Sequence, residues 1–154
     1  MPPWVWILAG VLGVLLAVLL VSIWLTSRTV SAEGARERFR RQREHLEAEF
    51  FHAAAASGKP RGLRWKECDW GESVEFARDR QAGQLVALAS VTISFEAIEG
   101  GDMEGVAAVG NLRNASAVFH FDGARWTTQG RAVFNLNPDE AIRHFGNQYE
   151  RLET

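Results

Sequence analysis

A single cysteine, Cys68, stands in a chain of 154 residues. An intramolecular disulfide or a thiolate-based metal centre needs at least two such side chains, so both are excluded. The net charge is −2, which gives no global field to recruit nucleic acid or to draw the whole chain onto anionic lipid. Arg64, Trp65 and Lys66 are too sparse to read as a nucleic-acid platform. No phosphate-binding glycine loop, Gly-x-Ser-x-Gly elbow or paired-cysteine motif occurs. No catalytic constellation and no cofactor are therefore expected. Internal repeats are absent, and low complexity is confined to the alanines at 53–56.

Charge is most completely missing from residues 4–25. These 22 residues carry no ionisable side chain, and 14 of them are Leu, Ile or Val. At ~1.5 Å per residue a helix of this length covers a ~30 Å hydrocarbon layer. The reading is a single-pass anchor over residues 1–28, holding about 125 residues of polar domain at a membrane. The competing reading is a signal peptide cleaved after Val30-Ser31-Ala32. The run exceeds the ~7–15 residues of an h-region, and no Lys or Arg precedes it. After the run come Arg28, Arg36, Arg38, Arg40, Arg41 and Arg43 against Glu33 and Glu37. Such an excess marks the cytoplasmic side, and the short uncharged segment before the run is easy to translocate. The expected topology is N-terminus outside and soluble domain in the cytoplasm. Trp4, Trp6 and Trp24 fall where indoles favour the headgroup level. Ala9, Gly13 and Ala17 form a small-residue stripe that would let a second membrane helix, or a second copy, approach closely.

Residues 29–60 read as a juxtamembrane amphipathic helix belonging to the same domain as residues 61–154. Phe39, Leu46, Phe50 and Ala53 or Ala54 share one stripe, and Gly58 with Pro60 ends the helix. Its arginines (Arg36, Arg38, Arg40, Arg41 and Arg43) are candidate contacts for lipid headgroups or a partner, or else a solvated face that sets topology.

From residue 61 the period becomes two. Short strands are expected at Leu63 with Trp65, as an edge, and at Val74 with Phe76. Turn residues fill 79–83, and a long strand comes next at 84–98 with one apolar and one polar face. Ala115 to Phe121 alternates again, Asp122-Gly123 signals a hairpin, and one partner strand is expected over 125–136. Asn137, Pro138 and Glu140 form an N-terminal capping signature, and Ile142, Phe145, Tyr149 and Leu152 then suggest a C-terminal helix. The fold class is α+β: one transmembrane helix, a second helix, an antiparallel meander of about five strands over 61–154, and a final helix, with the helices on one face. This element order is similar to that of cystatin-like and NTF2-like cones, in which a helix lies in a curved sheet. The likeness is one of order alone, and fold carries no function by itself.

Candidate chemistry is thin. His45, Glu49 and His52 lie on one helix face but lack the spacing of a zinc-protease helix, and exposed positions explain them better. His120 is a lone candidate base without a nucleophile, and His144 reads as surface. The long loop at 99–114 holds four glycines and the carboxylates Glu99, Asp102 and Glu104. It lacks the ordered acidic pattern of a calcium loop; Asp102 and Glu104 are candidate partner contacts. Asn114-Ala-Ser116 matches a glycosylation pattern that is empty in a cytoplasmic domain. The sum is a membrane-anchored, non-enzymatic interaction protein, an accessory or scaffold subunit of a larger membrane complex. The alternative is a ligand-binding or enzymatic pocket in the curved sheet, with His120 or the acidic loop at its mouth.

Overall fold

The helical stripe at 39–54 buries as the spacing requires. Phe39, Leu46, Phe50 and Ala54 are all within 2% of complete burial, with Ala54 rather than Ala53 taking the last turn. The computed structural model describes residues 3–153, with the backbone alone described at 3–9 and 23–31. Helix α1 runs Pro3–Ala56. The chain divides into two compact units, residues 1–37 and 38–154. In the first, the apolar side chains described between residues 11 and 21 are exposed. Among the described residues no helix is long and apolar enough to cross a membrane.

The second unit is an antiparallel sheet with a helix on each face. Its strands are β1 (Leu63–Asp79), β2 (Leu85–Ala97), β3 (Arg113–Phe121), β4 (Trp126–Thr127), β5 (Ala132–Phe134) and β6 (Tyr149–Arg151). The order is β4-β3-β2-β1-β6, with β5 also paired to β3. Phe76 faces Ala87, and Ala87 faces Phe119, so all three share one side of the sheet. Phe39 packs edge-on against Phe76, Phe119 and Trp126 at 5.2–5.6 Å between ring centres, and Phe50 packs on Trp65 and Trp70. Aromatic pairs at these separations prefer this T-shaped geometry. The opposite side carries Ala77, Val86, Leu88 and Val118, packed with Ala141, Ile142 and Tyr149.

Four expectations need correction. The helices lie on opposite faces: β2 is buried at every residue from Leu85 to Ala89, so its first half is covered on both sides. The strand expected in two pieces before residue 79 is one strand. Register shifts at Trp65/Glu67 and Trp70/Val74 break its alternation without ending it. The strand expected over 125–136 is two short ones, interrupted at 128–131 where Gly130 takes φ +71°. The C-terminal helix, α2 (Pro138–His144), stops early, and Tyr149–Arg151 returns as β6 on the end of β1. Gly146 and Asn147 are the stop signal. The apolar spacing at 142, 145, 149 and 152 imitates a helix although Tyr149 reaches the core from a strand. The start of α2 is as expected, with a complete capping box: the Asn137 side chain accepts from the Glu140 N–H, and the Asn137 N–H donates to Glu140 Oε2.

The β1–β2 and β3–β4 hairpins each close on an aspartate. Asp79 Oδ1 accepts the N–H groups of Gln81 and Ala82 at 2.8 and 2.9 Å, and Asp122 Oδ1 accepts those of Ala124 and Arg125 at 2.8 Å each. Short carboxylate side chains replace the backbone partners that a tight turn removes.

Candidate functional site

The sheet face that carries α1 extends past the end of the helix, and a cleft opens there. Its walls begin with the turn after α1. Trp65 Nε1 donates to the Lys59 carbonyl at 2.7 Å, tying residues 57–60 to β1 and placing Pro60 at the cleft. The far wall is the 128–131 crossing. Thr128 Oγ1 donates to the Val118 carbonyl and accepts the Gly130 N–H, while Gly130 itself lies against the backbone of α1. A Cβ there would sit 2.2 Å from the Ala54 nitrogen, so glycine is required by space as well as by φ. The third wall comes from the glycine-rich loop after β2. It turns into a 3₁₀ turn at Ala107–Gly110, with Met103 standing over Gly62.

Two adjoining cavities result, of about 450 and 280 Å³, sharing Pro60 and Phe134. Trp65, Phe95 and Phe134 form an aromatic flank, with ring centres 5.1 Å apart for the first pair and 6.3 Å for the second. Phe134 is 37% exposed, unusual for a phenylalanine in a strand, because nothing covers it on the cleft side. Lys59, Arg113 and Arg131 also border the cleft, Arg131 with its charge acting on His120 and Tyr149 across the sheet, and no carboxylate among the described residues does. None of these three cations is in an ion pair among the described residues. Arg38, Arg43, Arg64, Arg80, Arg125, Arg143 and Arg151, by contrast, each reach a carboxylate or a backbone carbonyl.

The residues singled out from sequence are dispersed. Arg38 donates to the Ala124 carbonyl, and Arg43 to the Gly71 carbonyl and to Glu47, so these two arginines clasp α1 to two parts of the sheet. Arg36 pairs with Glu33 at 3.4 Å, and Arg40 and Arg41 are exposed and engaged in contacts of their own. Glu104 accepts the Gly100 N–H at 2.7 Å and closes its own loop, while Asp102 is exposed. Gly13 and Ala17 are exposed on α1; the side chains of Trp4, Trp6, Ala9 and Trp24 lie outside the described residues. His45 pairs with Glu49 at 3.2 Å on an exposed face, and among the described residues no group of three metal-ligating side chains comes together.

His120 lies on the α2 side of the sheet, away from the cleft. Burial holds its imidazole below the ordinary value, with Asp79 opposing and Arg131 reinforcing that shift. Asp79 sits below the usual carboxylate range, chiefly through the Ala82 N–H. Both of its oxygens are already bonded, to the turn and to Gln148, so it is a structural carboxylate. Tyr149 is 1% exposed, its hydroxyl has no hydrogen-bond partner among the described residues, and burial raises its pKa. Burial also pushes the Cys68 thiol up to about 12, with Glu67 adding to the effect, so almost no thiolate forms at neutral pH. None of these four groups lines either of the two cavities.

A pocket with His120 or the 99–114 loop at its mouth was the alternative reading; that loop supplies Met103, Ala108 and Val109 to the cleft, His120 does not line it, and the aromatic flank was not singled out from sequence. The signals were present in Gly130 and Asn135, two interruptions around Phe134, and Asn135 indeed takes φ +61°. Comparison with known proteins returned no matching family, no matching curated protein and no matching solved structure.

Proposed function

We propose that the chain is a membrane-anchored, non-enzymatic interaction protein: residues 4–25 insert in a bilayer and present the sheet domain as a docking module for a larger membrane complex. The observation that carries this reading is the uncharged run of 22 residues, followed within one span-length by an arginine-rich segment. Exposure of the apolar side chains at residues 11–21 supports it, since a helix clad in Leu and Val is stable in lipid and costly in water. The arginine excess supports a cytoplasmic domain with the N-terminus outside. Ala9, Gly13 and Ala17 remain candidates for contact with a second membrane helix, and Trp4, Trp6 and Trp24 for the interfaces.

Alkaline extraction of membranes from expressing cells, with a phosphatase fused after residue 154, tests both parts. Retention in the pellet with a silent external phosphatase is expected. Release into the supernatant, or an intact mass beginning at Glu33, overturns the anchor; external phosphatase activity overturns the topology. Mild-detergent purification then asks for the complex, and stoichiometric co-migrating chains are the expected result.

A second reading is favoured by one specific observation. The half-open cleft beside Phe134, bordered by Lys59 and Arg113, neither in an ion pair among the described residues, has the size and apolar lining of a ligand site. In this reading the domain binds a small molecule at the open end of the sheet, whether or not it also docks on a partner.

A further inference from the structure

We infer that the cleft binds a single-chain anionic amphiphile, an acyl or alkyl tail with a carboxylate or phosphate head; the inference rests on the ligand-binding reading. Three observations meet at one place. The walls are apolar and aromatic, with Trp65, Phe95 and Phe134 on one flank and Met103 and Val109 completing the lining. A polar metabolite would lose its hydration there without replacement, whereas methylene groups gain by leaving water. The two adjoining cavities, about 450 and 280 Å³, lie at the lower end of the range in which small-molecule sites fall, suiting a slender ligand rather than a bulky one.

The head is selected by charge. A chain of net charge −2 has placed Lys59 and Arg113, and no carboxylate among the described residues, along this lining. Lys59 belongs to the larger cavity and Arg113 to the smaller, whereas the charge of Arg131, which also borders the larger one, acts on His120 and Tyr149 across the sheet. Because none of them is neutralised by an ion pair among the described residues, an incoming anion does not have to displace an internal partner. Charge-assisted hydrogen bonds from a guanidinium are forked to suit carboxylate and phosphate alike, so the geometry names the anion class and leaves the head open between these two. A neutral alcohol of the same length would fill the apolar part and leave the cations unsatisfied.

The experiment uses the full chain in nanodiscs of zwitterionic lipid, labelled at the methionine methyls. The chain has two methionines, Met1 and Met103, and Met103 lines the cleft, so one resonance reports on the site and the other on nonspecific effects. Decanoate and decyl phosphate are titrated against decanol and decyltrimethylammonium. A saturable shift of Met103, with Met1 unmoved, is expected for the two anions, and binding at least tenfold weaker for the alcohol and the cation. The stronger of the two anions identifies the head. Lys59→Gln and Arg113→Gln should each weaken the anions about three- to tenfold and leave decanol unchanged. Ala132→Trp, which fills the larger cavity, should abolish binding of every probe. Equal binding of decanol and decanoate overturns the anionic selection while keeping a pocket. A Met103 resonance unmoved by any probe, in protein whose unliganded spectrum is that of a folded chain, overturns the pocket as well.

Discussion

Tyr149 is the residue whose role the structure changes most. Its ring anchors β6 into the cluster under α2, yet its hydroxyl is buried without a hydrogen-bond partner among the described residues. A buried hydroxyl that forms no bond forfeits its hydration for nothing in return, a cost of roughly 1–3 kcal/mol. Tyr149→Phe keeps the ring and removes that cost. The expected outcome in urea unfolding is stability unchanged or raised by up to about 1 kcal/mol; a loss greater than that would mean that the hydroxyl is bonded in solution. The sequence could not have indicated this. A tyrosine at helical spacing from Ile142 and Phe145 looks like one more rung of a helix, and the hydroxyl is orphaned only because a strand delivers it to the core.

At the level of elements, local chemistry was readable where it is self-contained. The capping box of Asn137 and Glu140, the Asp122 turn and the alternation of β2 beyond Ala89 all depend on residues within a few positions of one another. What was illegible depends on remote partners. The register shifts that keep β1 continuous are set by its pairing with β2, and the second covered face of β2 exists because α2 arrives from much further along the chain. The crossing at 128–131 is the sharpest case. Gly130 approaches the α1 backbone so closely that a methyl group would overlap the Ala54 nitrogen, and its φ of +71° disfavours any other residue. Gly130→Ala is expected to cost about 2–4 kcal/mol, read as a lowered urea midpoint, with the cleft wall displaced along with it. Gly83→Ala is the comparison: φ is +69° but a Cβ there meets nothing within 4 Å, so a smaller loss, about 1 kcal/mol, is expected.

For the molecule as a whole, proton linkage on the acid side of neutrality acts in one direction. His120 and Asp79 are both held below their ordinary values of 6.5 and 3.8. A group with a depressed folded pKa contributes fully above its unfolded value and loses that contribution as the pH falls through the folded one. Stability should therefore decline on acidification in two stages, first below about pH 6.5 through His120, then below about pH 4 through Asp79. Urea midpoints measured from pH 8 to pH 3 check this, and His120→Gln should flatten the first stage alone. A midpoint that rises between pH 7 and pH 5 would contradict the burial of His120 in the folded protein.

The placement of Phe39 has a consequence for how the chain is made. Its ring is enclosed by Phe76, Phe119 and Trp126, and Trp126 lies far along the chain. A ribosome delivers Phe39 and Phe50 long before it delivers their companions, so the newborn helix has to wait with its aromatic stripe bare. Folding of this domain is necessarily late, completed after the last hairpin has emerged, and high sequence separation of this kind slows the final closure. Through that interval the nascent chain presents a sticky surface, and a chaperone or a binding partner able to shelter it would find it there before the native fold exists.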